Sequence, residues 1–459
     1  MIHRYQKKGL NFVLDVNSGA VHLLDDISYA VSGLLDENMG DTCPQSIIDA
    51  LPDYTADEIR EAYDELYELK KAGQLFAQDD YIDVSRYIPV NAPVKALCLH
   101  VAHDCNLRCK YCFASTGDFG QGRKIMPPEI AKKAIDFVIA RSGVRHNIEV
   151  DFFGGEPLMA WDTVTQTVDY ARSLEEKYNK KFRFTITTNG LLLDEDKRKY
   201  INENMDNCVL SLDGRREVND EFRKTVAGTG SYDTIVPKFK ALVDERDPNL
   251  DYYARGTFTS HNLDFAEDVL SIADAGFDRL SVEPVTADPG CGYDLTEDDL
   301  PKIEAEYDRL TDIMLERKKE GKPFTFFHFM VDLDQGPCVV KRLRGCGAGY
   351  EYVAVTPDGD IYPCHQFVGK EEFKQGSVLD QSFNMDIAQT FAGMNIYSRP
   401  KCQKCWAKFY CSGGCSAANY NMNHDMNDSY DLGCEMERKR LECAIYLKAM
   451  DKICANQSK

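Results

Sequence analysis

Cys105, Cys109 and Cys112 stand at C-x3-C-x2-C spacing in the stretch Cys105-Asn106-Leu107-Arg108-Cys109-Lys110-Tyr111-Cys112. An apolar run before them, Val94 to Val101, reads as a buried strand. A loop at the C-terminal end of a strand is where α/β proteins place their chemistry. Three thiolates gathered there can hold three irons of a 4Fe–4S cube and leave the fourth iron open. Such clusters normally take four cysteines, so a missing fourth marks a cluster that binds something else. Zinc is the plainer alternative, with His100 or His103 just upstream as a further ligand. Structural zinc sites, however, match one C-x2-4-C pair with a second nearby, and none follows closely.

A second array lies near the C-terminus. Cys346 precedes a hairpin, Thr356 to Cys364, turned at Pro357-Asp358-Gly359. Cys402, Cys405, Cys411, Cys415 and Cys434 then follow at C-x2-C-x5-C-x3-C-…-C spacing. A four-cysteine zinc ribbon is the bland reading of Cys402 to Cys415. Cys43, Cys98, Cys208, Cys291, Cys443 and Cys454 are scattered and read as buried apolar residues or free thiols.

The elements that must position these residues change character along the chain. Residues 1–85 read as a small separate unit. Strands Asn11–Val16 and Ala20–Leu24 flank an Asn17-Ser18-Gly19 turn. Helices follow from Asp26 to Leu35 and from Pro44 to Leu51, and a longer one opens at Thr55 with an apolar stripe of Ile59, Tyr63, Leu66, Tyr67 and Leu69. A returning strand is expected at Gly73–Phe76. The whole is winged-helix-like, but its helices are acidic (Asp57, Glu58, Glu61, Asp64, Glu65, Glu68) and lack the basic footprint of a DNA binder. Asp79 to Pro93 reads as a linker.

From Val94 strands alternate with helices. Strand-like segments are Ile148–Phe153, Phe182–Thr187, Cys208–Leu212, Tyr252–Phe258 and Arg279–Val282. Repeated βα units imply a parallel sheet, here an α/β partial (β/α)6 TIM-like barrel open on one side, over residues 86–325. Polar motifs sit where its strands should end: Gly154-Gly155-Glu156-Pro157, Thr188-Asn189-Gly190, Ser211-Leu212-Asp213-Gly214, then Arg223. The two glycines permit close backbone approach, and Glu156 can accept from an ammonium. Glu283 faces the same mouth with no assigned role.

A net charge of −21 argues against nucleic acid or an anionic membrane and leaves room for a basic peptide. The N-terminus lacks a signal-peptide core, and no apolar run approaches membrane-spanning length. A cytoplasmic protein is expected, in which 17 cysteines suggest metal rather than disulfides.

C-x3-C-x-Φ-C, with Tyr111 as the aromatic residue, resembles the signature of radical S-adenosylmethionine (SAM) enzymes. There the open iron chelates the amino and carboxylate groups of SAM, whose reductive cleavage yields a hydrogen-abstracting 5′-deoxyadenosyl radical. The resemblance implies a cofactor site of Tyr111, Gly154, Gly155, Glu156, Asn189, Ser211 and Arg223: the GGEP turn meets the SAM amino group, Ser211 the ribose and Arg223 the carboxylate. No side chain is assigned as a catalytic acid or base. The later array, Cys346, Gly359 and Cys364 with Cys402 to Cys434, resembles the SPASM domain, placed at 326–459. It implies two auxiliary 4Fe–4S clusters, three in all. Cys402, Cys405, Cys411 and Cys434 would hold one. Cys346, Cys364 and Cys415 would hold the other, completed by Cys338 or by a substrate thiolate.

With the N-terminal unit, similar to peptide-recognition elements that bind a leader as an added strand, the chain resembles maturases of six-cysteines-in-forty-five (SCIFF) peptides. That implies thioether crosslinks between a Cys sulfur and a carbon of a second residue, often Thr, in a ribosomally made peptide. A reductant such as flavodoxin or ferredoxin would be the other partner. Formylglycine formation of the anaerobic sulfatase-maturase type is the alternative. That family typically carries Asp after the Cys364 position, where this chain has His365, and as a rule lacks the N-terminal unit. A non-enzymatic electron-transfer protein leaves GGEP without purpose. A redox-sensing transcription factor is weakened by the acidic N-terminal unit.

Overall fold

The computed structural model describes residues 1–83, 92–333 and 339–457. The N-terminal unit begins with a strand the sequence reading passed over. β1 (Ile2–Lys7), β2 (Leu10–Asp15) and β3 (Val21–Leu24) form an antiparallel meander, followed by α1 (Asp26–Ser32), α2 (Gln45–Ala50) and α3 (Ala56–Lys71). Thr55 and Glu58 close a reciprocal capping box on α3, which fixes its start. Gly73–Phe76 is not a returning strand but a turn and bends. Leu75 buries there against Val13, Tyr63 and Leu66, so the apolar doublet completes a core without joining a sheet. The expected linker falls largely in 84–91, outside the described residues.

The large sheet is parallel across its barrel portion. Its strands are β4 (Ala96–His103), β6 (Asn147–Gly154), β7 (Lys181–Thr188), β8 (Asn207–Ser211), β9 (Asp251–Phe258) and β10 (Arg279–Pro284), with short β11 (Thr325–Phe326) beyond β10. A two-residue β5 (Lys124–Ile125) pairs antiparallel with β4. The path does not close on itself, so the barrel is partial. On the far side, β12 (Tyr352–Val355) adds to β4 in parallel, and β13 (Asp360–Tyr362), β14 (Gly376–Ser377) and β15 (Ser382–Phe383) continue antiparallel. The expected hairpin of the C-terminal array is therefore stitched into the barrel sheet.

Alternation explains the layering. Ile148, Val150, Phe152, Phe182, Phe184 and Ile186 point outward and are fully buried under the helices. Asp151, Thr185, Ser211 and Arg255 alternate with them on the other face of the strands. β4 is buried on both faces, because Cys98 packs into a second cluster with Tyr362, Cys364 and Phe367. The N-terminal meander rests on the long C-terminal helix Asp431–Gln457: Tyr5, Phe12 and Leu14 pack with Ile445 and Tyr446. His3 stacks on Trp406 at 3.8 Å. Among the described residues, no helix is long and apolar enough to cross a membrane.

Candidate active site

The loop after β4 carries Cys105, Cys109 and Cys112, and the turn after β6 is pressed against it. Gly155 N donates to Ala102 O at 2.7 Å, and Glu156 N donates to Asp104 O at 2.9 Å. A Cβ on Gly154 would sit 2.2 Å from Ala102 O, and one on Gly155 2.1 Å from Asp104 O. The two glycines are thus required by contact between the strand ends, and Gly154 also holds φ at +126°. Glu156 is buried and accepts from Leu158 N at 3.0 Å, Thr188 Oγ1 at 2.8 Å and Asn189 N at 2.8 Å. Burial raises its carboxyl to about 7 against those hydrogen bonds. It ties the ends of β6 and β7 together. Asn189 Nδ2 in turn donates to Asn106 Oδ1 at 2.8 Å, steadying the cysteine loop.

Asp213, fully buried after β8, organises the opposite wall. Tyr111 Oη donates to its Oδ2 at 2.6 Å, and Thr257 N donates to its Oδ1 at 3.1 Å. Arg223 Nε lies 3.0 Å from Oδ1. Burial opposes the Arg223 charge, but Asp213, Tyr111 and Cys109 hold its pKa well above the usual value. Tyr111 and Arg223 are therefore fixed by one carboxylate. The sequence pattern marked Asp213 as a site-lining residue without a definite role, since SLDG also reads as a turn.

Cys105, Cys109, Cys112, Tyr111, Gly154, Gly155, Glu156, Asn189, Ser211 and Arg223 all line one cavity of about 250 Å³. Its far wall is Arg255, Glu283, His365 and Gln366, with Phe113 and Phe153 between. The His365 ring lies 5.0 Å from Phe153 and 5.5 Å from Phe113. Sequence reasoning did not connect His365 or Arg255 to this cavity. The available signal was a charged residue inside an otherwise apolar strand.

His100 and His103 do not turn toward the cysteines. His100 Nδ1 and His103 Nε2 meet at 3.1 Å, both rings buried against Phe119. Among the described residues, no three His, Cys, Asp or Glu side chains converge on a single metal ion. Cys402, Cys405, Cys411 and Cys434 line a separate cavity of about 300 Å³ with Lys401, Lys408, Glu437 and Arg438, room for a body larger than one ion. Cys346, Cys364 and Cys415 form the other group, each close enough to bias another's ionisation. Burial pushes Cys105, Cys109 and Cys411 up to about 12 and Cys434 to about 11. Such thiols become ligands where a cationic metal group stabilises the thiolate. An all-sulfur donor set in a roomy cavity fits an iron–sulfur cluster. Cys338 lies outside the described residues.

Residues 99–251 match the radical SAM superfamily, and 346–406 match the SPASM iron–sulfur cluster-binding domain. The chain carries a radical SAM domain and a SPASM domain. SAM and a 4Fe–4S cluster belong to the first of these domains, and iron–sulfur binding to the second. A cysteine-type anaerobic sulfatase-maturating enzyme of Clostridium novyi is 25% identical, over 72% of this chain and 90% of its own. The native anSMEcpe structure with bound AdoMet shares the fold at TM-score 0.63 and 20% identity, over 80% of this chain and 100% of that one. Streptococcus suis SuiB bound to precursor peptide SuiA does so at TM-score 0.52 and 17% identity, over 93% and 97%. The SuiB match reaches beyond the barrel and SPASM regions.

Proposed function

We propose that this chain matures a ribosomally made, cysteine-rich peptide by joining a Cys sulfur to a carbon of a second residue, with Thr as the expected acceptor. The observation that carries this reading is one shared cavity. The Cys105–Cys112 loop lines one side, and His365 and Gln366, directly after Cys364, line the other. Cys105, Cys109 and Cys112 would hold the cluster beside SAM, and with one electron from the reductant the pair would supply the radical chemistry that removes a hydrogen atom from the peptide.

Around them, Asp213 orients Arg223 and Tyr111 toward the SAM side, while Glu156 and Asn189 lock the turn that approaches the SAM amino group. Cys346, Cys364 and Cys415 give three ligands to a four-iron group. We assign the fourth position to the substrate's own thiolate, with Cys338 as the competing ligand. That would place sulfur beside the carbon that loses hydrogen. Cys402, Cys405, Cys411 and Cys434 complete a second auxiliary group suited to passing the surplus electron onward.

The N-terminal unit would take the leader. Among the described residues, the outer edge of β3 pairs with no strand, and edge addition is a recurrent mode of peptide capture. The exposed face of α3 carries Asp57, Glu61, Asp64, Glu65 and Glu68 around one surface groove, which suits a basic leader. SuiB, similar over most of this chain, is solved with its precursor peptide.

The C. novyi relative keeps formylglycine formation as a second reading. Anaerobic turnover of a synthetic peptide containing Cys and Thr, followed by tandem mass spectrometry, separates the two. Loss of two hydrogens per crosslink supports the thioether. A Cys-derived aldehyde supports the alternative.

A further inference from the structure

We infer that Arg255 is the residue that binds the peptide's main chain in the cavity, donating from the edge of its guanidinium to one carbonyl oxygen. This rests on the reading of the cavity as a peptide-modifying site and names a contact within it. Arg255 stands on β9 directly beside Ser211 of β8 in register. It lines the cavity wall opposite the cysteine loop. Its side chain keeps 46% of its exposure although it belongs to a central barrel strand.

The way Arg255 is held leaves a donor edge free. Nε donates to Glu283 Oε1 at 3.2 Å and Nη2 donates to Oε2 at 2.5 Å, a two-point grip that fixes the guanidinium plane. Among the described residues, Nη1 has no hydrogen-bond partner. Glu283 stays ionised: burial works to raise its carboxyl, and the Arg255 and Arg440 charges bring it below the ordinary range.

Behind Glu283 stands a buttress. His328 Nε2 lies 3.8 Å from Glu283 Oε1 and 3.2 Å from Ser281 Oγ. Arg440 Nη1 donates to His328 Nδ1 at 3.2 Å, which makes Nε2 the protonated nitrogen. Arg440 also pairs with Glu437, which lines the cavity of the Cys402 group. A column of paired side chains thus runs from the C-terminal helix to the barrel wall and ends in one guanidinium edge. A bare surface ion pair needs no such support. A site that must place a ligand to within a fraction of an ångström does.

The ligand chemistry follows. A planar cation with a free N–H edge takes a carbonyl or carboxylate oxygen. A peptide threaded through the cavity offers main-chain carbonyls at every residue, so the contact would set depth rather than sequence. The test uses a synthetic peptide containing Cys and Thr that the wild-type chain crosslinks, with Arg255→Gln and Arg255→Lys. Iron content and circular dichroism check folding. The expected result is a peptide KM raised about ten- to a hundredfold in Arg255→Gln. Arg255→Lys should recover part of the loss, and crosslinks should scatter over neighbouring residues. A KM within twofold of wild type, with the crosslink position unchanged, overturns the inference and leaves the proposed function standing. A wild-type chain that modifies no cysteine-containing peptide overturns the proposed function itself, and this contact with it.

Discussion

The three-cysteine loop and the four-cysteine cavity make the informative contrast. Cys105, Cys109 and Cys112 sit against a polar wall of Glu156, Asn189, Ser211 and Arg223. Cys402, Cys405, Cys411 and Cys434 sit apart, among the last helices, with Lys401, Lys408 and Arg438 around them. One site has fewer thiols than a cube needs and many polar groups beside them. The other has the full set, and the charged side chains beside it, Lys401, Lys408, Asp431, Glu437 and Arg438, surround the thiols without opening onto the first cavity. Incomplete ligation beside a shaped cavity is suited to binding and cleaving a molecule; complete ligation is suited to holding and passing electrons. The Cys346, Cys364 and Cys415 group falls between: the substrate's thiolate is proposed as its fourth ligand, and His365 and Gln366, directly after Cys364, line the same cavity as the first loop.

The largest effect should come from the incomplete site. Replacing Cys105, Cys109 and Cys112 by Ala should lower 5′-deoxyadenosine formation by at least about a thousandfold. The auxiliary absorbance should remain. Reconstituted wild type should hold about twelve irons, and the triple variant about eight; about four in the wild type would remove the auxiliary groups. The complete site should break differently. Cys402→Ala with Cys405→Ala should cost about four irons and at least about tenfold in crosslinked product, while SAM cleavage continues.

Asp213→Asn sharpens the polar side of the contrast. It leaves Arg223 buried without its carboxylate, which should lower stability by about 3 kcal/mol in thermal or urea unfolding and weaken SAM binding about tenfold. Reversing Asp57, Glu61 and Asp64 to Lys should weaken binding of a basic leader about tenfold at low salt, and less at high salt. Unchanged affinity by fluorescence anisotropy would give the N-terminal unit another task.

The smallest effect is a pH trend in the metal-free chain. Asp151, on the inner face of β6, is raised to about 7, chiefly by burial and then by Glu149. A raised folded-state pKa means the folded chain binds more protons between about pH 4 and 7, so stability falls as pH rises through that window. Asp151→Asn should flatten the fall by roughly 1–2 kcal/mol in urea midpoints taken at pH 5 and 7.5.

What the sequence made legible was local. Cysteine spacing, the GGEP turn and the helix start at Thr55 need only a few residues to be recognised; the first two stand after β4 and β6, and the third opens α3. What stayed hidden depended on distant partners. β1 is a charged, mixed stretch whose strand character comes from pairing with β2 and from packing on the C-terminal helix. Leu75 and Phe76 looked like a strand because apolar doublets do, but a helix core took them. β12 joins β4 across 256 residues, as in the pairing of Ala96 with Tyr352. Arg255, Glu283, His328 and Arg440 come from four separate elements, so no motif unites them.

The central claim is that the first cysteine loop starts the radical while the Cys346, Cys364 and Cys415 group decides what it does. Cys364→Ala tests this in a single reaction with SAM, reductant and peptide, measuring 5′-deoxyadenosine and crosslinked peptide together. The account predicts that 5′-deoxyadenosine persists and the crosslink disappears. Crosslinked peptide formed in the wild-type proportion to 5′-deoxyadenosine would contradict it.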